Sequence, residues 1–186
     1  RLLHLLGKEV DSVITTVGAE QEYFLIDKKM YYKRKDLVYT GRTLFGNRPP
    51  KTQELDDHYF GVIKPRVLSF MKELNEECWK LGIPAKTQHN EVAPCQHELA
   101  PIFTLTNRAC DQNQIIMELM KKIADKHDLV CLLHEKPFNG INGSGKHNNW
   151  SMSADGENLL SPKGRDEQFL LFLVAIIQAV DEYPEL

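Results

Sequence analysis

Hydrophobic positions along the chain follow two periods, and the changes between them mark the elements. VGAEQEYFLID (17–27) reads as a strand, with aromatic and branched residues after a glycine. Period two places Glu20 and Glu22 on one face with Phe24 and Ile26, and Ala19, Tyr23 and Leu25 on the other. Apolar side chains on both faces predict an interior strand. From Pro65 to Leu81, Val67, Leu68, Phe70, Met71, Leu74 and Cys78 follow a helical period, opened by Pro65 and closed by Gly82 and Pro84. AKTQHNEVA and HELAPIF predict two strands around a turn. Asn107 is expected to cap a second helix with Ile115, Ile116, Leu119, Met120 and Ile123 inside. DLVCLLH (128–134) predicts a short buried strand, GINGSG (140–145) a glycine-rich turn, and KHNNWSMS (146–153) another strand. A last helix is expected from about Arg165 to Glu182, and its continuous apolar run predicts burial on most sides. Residues 39–57, rich in Gly, Pro and polar side chains, read as a long loop. Strands and helices mix without a βαβ beat, so the expected class is α+β.

Composition narrows the function. The chain has 186 residues, 42% of them hydrophobic and 26% charged, within the range of a globular domain. With 23 basic and 26 acidic residues the net charge is −3, which gives no electrostatic reason to expect a nucleic-acid or membrane partner. Cys78, Cys95, Cys110 and Cys131 form no C-x-x-C pair, and no stretch reads as a signal peptide, so free thiols in the cytoplasm are expected. The start at Arg1 and the stop after an apolar helical run suggest a piece of a longer protein.

The candidate chemistry lies in the acids. Glu91 and Glu98 are seven positions apart, which on one straight strand would point them to opposite faces. Pro94 argues against one straight strand, and a turn at APCQ lets both carboxylates reach one face. If these two meet Glu20 and Glu22, repulsion is large: two charges about 5 Å apart at an effective dielectric of about 20 repel by about 3 kcal/mol. Several such pairs would together threaten a fold whose net stability is roughly 5–15 kcal/mol. Such a cluster must take up protons or cations, and oxygen-rich clusters favour Mg²⁺ or Mn²⁺. Ordinary ion pairs with Lys86, Lys136 or Lys146 are the alternative, and His89, Cys95 and His97 allow a zinc site. GINGSGKH nearly satisfies G-x-x-x-x-G-K-[ST], but His147 replaces the hydroxyl residue and an extended segment follows where a helix is required. His147 beside the glycine turn is a further candidate metal ligand.

GAEQEYFLID, NEVAPCQHELAPIF and NGSGKHNNWS, in this order, resemble the glutamine synthetase catalytic domain, most closely its type III branch. The resemblance covers essentially the whole chain; YTGRTLFG and PPKTQELDDHYFG are similar to the type III form of the intervening region. It implies that residues 1–186 are part of one catalytic domain, with a curved antiparallel sheet and helices on its outer face, lacking a C-terminal portion and an N-terminal β-grasp domain. It implies that Glu22, Glu91 and Glu98 hold a dication near the glutamate carboxylate, and that Glu20 and His147 hold one near the ATP phosphates. Asn142 and Gly143 match glutamate-contacting positions, Phe103 an aromatic flanking the nucleotide, and Ser151 a position near ATP. Asn149 stands where the type I pattern has a second histidine. The implied reaction is ATP-dependent ligation of ammonia to the γ-carboxylate of glutamate through γ-glutamyl phosphate, in a homo-oligomeric ring. The carboxylates are read as a metal cradle, and no general acid or base is assigned. The family's later arginines, further metal-binding glutamate, flap glutamate and neighbour-supplied aspartate have no counterpart in these residues. The 186 residues alone are therefore expected to be nearly inactive. Another ligase of the superfamily using a different amine, or a non-catalytic relative, is the alternative.

Overall fold

The computed structural model describes residues 1–44 and 51–185. In chain order the elements are α1 (Leu2–Leu5), β1 (Ile14–Asp27), α2 (Lys28–Tyr32), α3 (Lys35–Thr40), a 3₁₀ segment (Glu54–Phe60), α4 (Pro65–Lys80), β2 (Ala85–Asn90), β3 (Gln96–Pro101), β4 (Thr104–Leu105), α5 (Thr106–Lys126), β5 (Leu129–Leu132), β6 (Lys146–Ala154), β7 (Glu157–Asn158) and α6 (Asp166–Glu182). The stretch read as a long loop is shorter than expected, because α3 and the 3₁₀ segment take its two ends; residues 45–50 lie outside the described residues.

β1 is the interior strand that its two-sided hydrophobicity predicts. The sheet order is β2-β3-β1-β6-β7, with β4 and β5 also paired to β1, and every pairing is antiparallel. One face of the curled sheet packs on α4 and α5. Tyr23, Leu25 and Leu99 from the sheet meet Phe70, Met71, Leu74 and Cys78 of α4 and Ile116, Met120 and Ile123 of α5 in one buried cluster. Full burial of side chains such as Phe70 or Leu74 stabilises by about 1.5–3 kcal/mol each. Helices therefore occupy the face of β1 carrying Tyr23 and Leu25, which leaves the Glu20 and Glu22 face for chemistry.

Two expectations are corrected. Asn107 does not cap α5: the β4 pairing of Thr104 and Leu105 to β1 delivers the chain to the helix two residues sooner, and the helix starts at Thr106 with Leu105 at its N-cap. Nor is α6 buried on most sides. Gln168 is its sole buried residue, while Leu170, Leu171, Leu173, Val174, Ile177 and Val180 are exposed. Its apolar composition calls for more partners than the described residues supply; Phe172 alone packs against a buried cluster, beside Leu3 and Leu159.

Candidate functional site

Register builds the site. Glu22 of β1 lies directly opposite Glu98 of β3, and Glu98 directly opposite His89 of β2. On the other side of β1, Glu20 lies opposite His147 of β6. Directly opposed residues share a face, so four strands present one carboxylate–imidazole field. Glu91 joins it from the turn after β2. That turn is tight: Glu91 N–H donates to the Gln96 carbonyl at 2.9 Å, and Cys95 takes a left-handed φ of 63° to re-enter β3. The odd spacing of Glu91 and Glu98 is thus resolved by a turn, as Pro94 suggests.

Two sets of donor atoms lie within 4.8 Å of one another: Glu20, Glu98 and His147; and His89, Glu91 and Glu98. Glu98 belongs to both. Glu22 is outside these sets; its Oε2 accepts the Gly145 N–H at 2.8 Å. The lysine alternative is not what the structure has. Lys136 Nζ donates to the Ile141 carbonyl, and among the described residues the ion-pair partners of Glu20, Glu91 and Glu98 are histidines. The zinc alternative is also not assembled. His97 sits on the helix face, with Nδ1 on the Asn90 amide oxygen at 3.0 Å and its ring against Tyr23, and neither it nor Cys95 enters a donor set.

The electrostatics are those of a crowded acid cluster. Burial, and then the Glu20 and Glu91 carboxylates, push the Glu98 carboxyl above its usual range. Burial and then Glu22 do the same to Glu91. His89 adds a test of donor chemistry. Its Nδ1 is 2.8 Å from the Asn90 carbonyl, which accepts only, so Nδ1 carries the proton. Its Nε2 is 3.1 Å from Glu98 Oε1, a nitrogen–oxygen contact that a dication bound by both atoms would satisfy. Carboxylate oxygens with imidazole nitrogens are donors that a hard or borderline dication accepts, and the residues fit such an ion.

The glycine-rich turn is fixed by contacts rather than by helix formation. A Cβ on Gly143 would lie 2.3 Å from the Glu135 carbonyl oxygen, which also accepts the Ser144 N–H at 2.8 Å. Gln96, almost wholly buried, donates to the Gly143 carbonyl at 2.9 Å and accepts the Ala93 N–H at 3.2 Å. One side chain thereby joins the Glu91 turn to the Asn142–Gly143 turn. Asn142 is exposed and is bonded twice by Gln53.

Phe103 and Ser151 meet in a separate open cleft of about 520 Å³, lined also by Thr16, Asn148, Asn149 and Trp150. A Cβ on Gly18 would contact the Phe103 Cβ at 3.4 Å, an ordinary contact distance, so Phe103 lies against β1 at Gly18. Asn149 Nδ2 donates to Glu20 Oε1 at 2.7 Å, linking this cleft to the acid cluster. Sequence reasoning missed Gln53 and Tyr59, whose ring packs 5.4 Å from that of His89. It also weighed His89 only for zinc, although its i, i+2 relation to Glu91 was a readable signal.

An antiparallel sheet backed by helices on one side and carrying a carboxylate–imidazole field on the other defines a class of α+β domain. Residues 5–177 match the family described as glutamine synthetase, catalytic domain, and the chain belongs to it. A glutamine synthetase of Butyrivibrio fibrisolvens is 63% identical over 98% of this chain and 27% of that protein. A type-3 glutamine synthetase of Dictyostelium discoideum is 52% identical over 100% of this chain and 26% of that protein. The chain thus spans about a quarter of the length of the curated relatives it matches. The cryo-EM structure of Plasmodium falciparum glutamine synthetase shares the fold, with a TM-score of 0.62 at 18% identity over 86% of this chain and 33% of that one. Among the described residues no helix is long and apolar enough to cross a membrane.

Proposed function

We propose that this chain forms the cation-binding and part of the substrate-binding portion of a glutamine synthetase catalytic domain, whose whole protein joins ammonia to the γ-carboxylate of glutamate at the expense of ATP. The observation that carries this reading is Glu98: a buried carboxylate, directly opposite both Glu22 and His89, shared by two sets of donors. In the reaction ATP transfers its terminal phosphoryl group to the γ-carboxylate oxygen, ADP leaves, and ammonia then displaces phosphate from the acyl carbon. Bound Mg²⁺ or Mn²⁺ supplies charge neutralisation at the phosphate oxygens and the carboxylate.

The residues of the chain position and hold. Glu91, Glu98 and Glu22 form the cradle nearer the glutamate side, with Glu22 aimed by the Gly145 N–H. Glu20 and His147 form the nucleotide side, with Glu20 aimed by Asn149. Asn142 and Gly143 contact the glutamate, and Gln96 keeps their turn in step with the Glu91 turn. Phe103 flanks the nucleotide and Ser151 lies near ATP, and both line one cleft. Catalysis of this kind is mainly positioning and preorganised charge, so a carboxylate needs no proton-transfer role here. A cytoplasmic, ring-forming enzyme taking glutamate, ammonia and ATP follows from the same family reading.

Calorimetric titration of the chain with Mn²⁺ and Mg²⁺, wild type against Glu91→Ala/Glu98→Ala, tests the cradle. Saturable binding lost in the double variant is expected; equal binding by both proteins ends the reading. In the full-length enzyme the same pair should abolish glutamine formation.

A further inference from the structure

The segment from Gln53 to Gly61 is strapped across the edge of the site at three points. Gln53 Oε1 accepts the Asn142 N–H at 2.7 Å, and Gln53 Nε2 donates to Asn142 Oδ1 at 2.8 Å. The Tyr59 ring packs on His89, and the Gly61 carbonyl accepts the Asn90 Nδ2–H at 2.9 Å. Between these anchors Leu55 and Asp56 hold left-handed backbone, with φ of 58° and 54°, a conformation that costs energy in non-glycine residues and persists only where other contacts impose it.

The Gln53 pair does more than tether. A primary amide offers an acceptor oxygen on one side and two N–H donors on the other, and the two ends are nearly isosteric. With Gln53 Nε2 on Oδ1, the Asn142 oxygen is engaged and its Nδ2 is turned away. The exposed side chain therefore presents donors to anything bound at the turn.

We infer that Gln53 is a positioning residue that fixes the Asn142 amide as a hydrogen-bond donor, suited to an acceptor group such as a carboxylate of the amino-acid substrate. This rests on the reading of Asn142 as a glutamate contact. The bound amino acid meets an amide already oriented, so the cost of ordering it falls before binding.

The test uses the full-length enzyme and steady-state kinetics with glutamate and ATP varied separately. Gln53→Ala should raise KM for glutamate about three- to tenfold, the worth of one or two hydrogen bonds, with kcat and KM for ATP unchanged. Gln53→Glu discriminates positioning from tethering. Its carboxylate still accepts the Asn142 N–H, but it has no donor for Oδ1, so the amide turns to give Nδ2 to residue 53 and shows its oxygen to the substrate. KM for glutamate should then rise at least as much as in Gln53→Ala. Asn142→Ala should raise KM for glutamate too, and adding Gln53→Ala to it should change nothing further. If Asn142→Ala raises KM and both Gln53 variants match wild type, the Gln53 inference falls and the Asn142 reading stands. The inference falls as well if Gln53→Glu matches wild type while Gln53→Ala is impaired, because a tether alone would do that. If Asn142→Ala leaves KM for glutamate unchanged, the Asn142 reading itself fails and takes the inference with it.

Discussion

Glu22 and Glu98 are direct cross-strand partners on β1 and β3, both more than nine-tenths buried. Like charges at opposed positions oppose strand pairing, and the pair is kept at a cost that a bound dication would offset. Removing one charge should therefore stabilise the metal-free chain while weakening cation binding. Glu98→Gln is expected to raise metal-free stability by about 1–3 kcal/mol in urea unfolding, and to lower Mn²⁺ affinity at least about tenfold by the loss of a charged ligand.

Acidity gives Glu98 and its neighbour Glu91 a signature with a definite sign. The Glu98 and Glu91 carboxyls are raised by burial and by neighbouring carboxylates, so the folded chain binds their protons at higher pH than the unfolded chain does. Their contribution to stability therefore grows as pH falls from neutrality through the folded titration range and levels off below the unfolded one. The stability advantage of metal-free Glu98→Gln over wild type should shrink on acidification from pH 7 to pH 4. In wild type, protons and Mn²⁺ compete for the same oxygens, so the apparent affinity for Mn²⁺ should fall over the same range. Urea midpoints and calorimetry at matched pH values check both.

The two donor sets share Glu98 but differ in His147 and Glu20 on one side and His89 and Glu91 on the other. Single substitutions should sort accordingly. Glu98→Ala is expected to remove all saturable Mn²⁺ binding, whereas His147→Ala and Glu91→Ala should each leave one class of site. Mn²⁺ binding followed by electron paramagnetic resonance reads the stoichiometry directly; a Glu98→Ala chain that binds like wild type would rule out a shared carboxylate.

Much of this site could be read along the chain because it is built by register. Period two set Glu20 beside Glu22, and Pro94 forced the turn that carries Glu91 towards Glu98. What stayed hidden is what register does not encode. Gln53 reaches Asn142 across 89 positions through a segment with no periodic pattern. Asn107 had the right residue type for a cap, but the short β4 pairing, a tertiary contact, set the helix start at Thr106. The apolar run of α6 predicted burial that the described residues do not supply, because a helix cannot announce in its own residues what packs against it.

Gly143 separates backbone geometry from ligand chemistry. Alanine there would drive a Cβ to 2.3 Å from the Glu135 carbonyl oxygen, a backbone atom that cannot swing aside. The turn must shift, and the Ser144 N–H bond to the same oxygen shifts with it. Gly143→Ala should lower stability by about 1–3 kcal/mol, as overpacking does, and the loss should appear in the absence of any ligand. Thermal unfolding of the metal-free chain measures it; an unchanged midpoint would mean the close approach is not required.

The exposed apolar surface of α6 bears on how the chain behaves by itself. Leu170, Leu171, Leu173, Val174, Ile177 and Val180 share one side of the helix and are exposed, and contiguous apolar surface of this kind drives association. The helix is held mainly through Phe172 and the buried Gln168, so the exposed positions contribute little to the stability of the 186 residues alone. Leu171→Lys/Val174→Glu/Ile177→Lys should therefore reduce self-association of the isolated chain in sedimentation and weaken its binding of an apolar dye. Its unfolding free energy should stay within about 0.5 kcal/mol of wild type, the usual range for surface substitutions. Placed in the full-length protein, the same three changes should destabilise by several-fold more if further parts of that protein cover the helix. If the triple variant unfolds the isolated chain, α6 is packed more tightly than its exposure indicates; if it is neutral in the full-length protein, the helix remains uncovered there too.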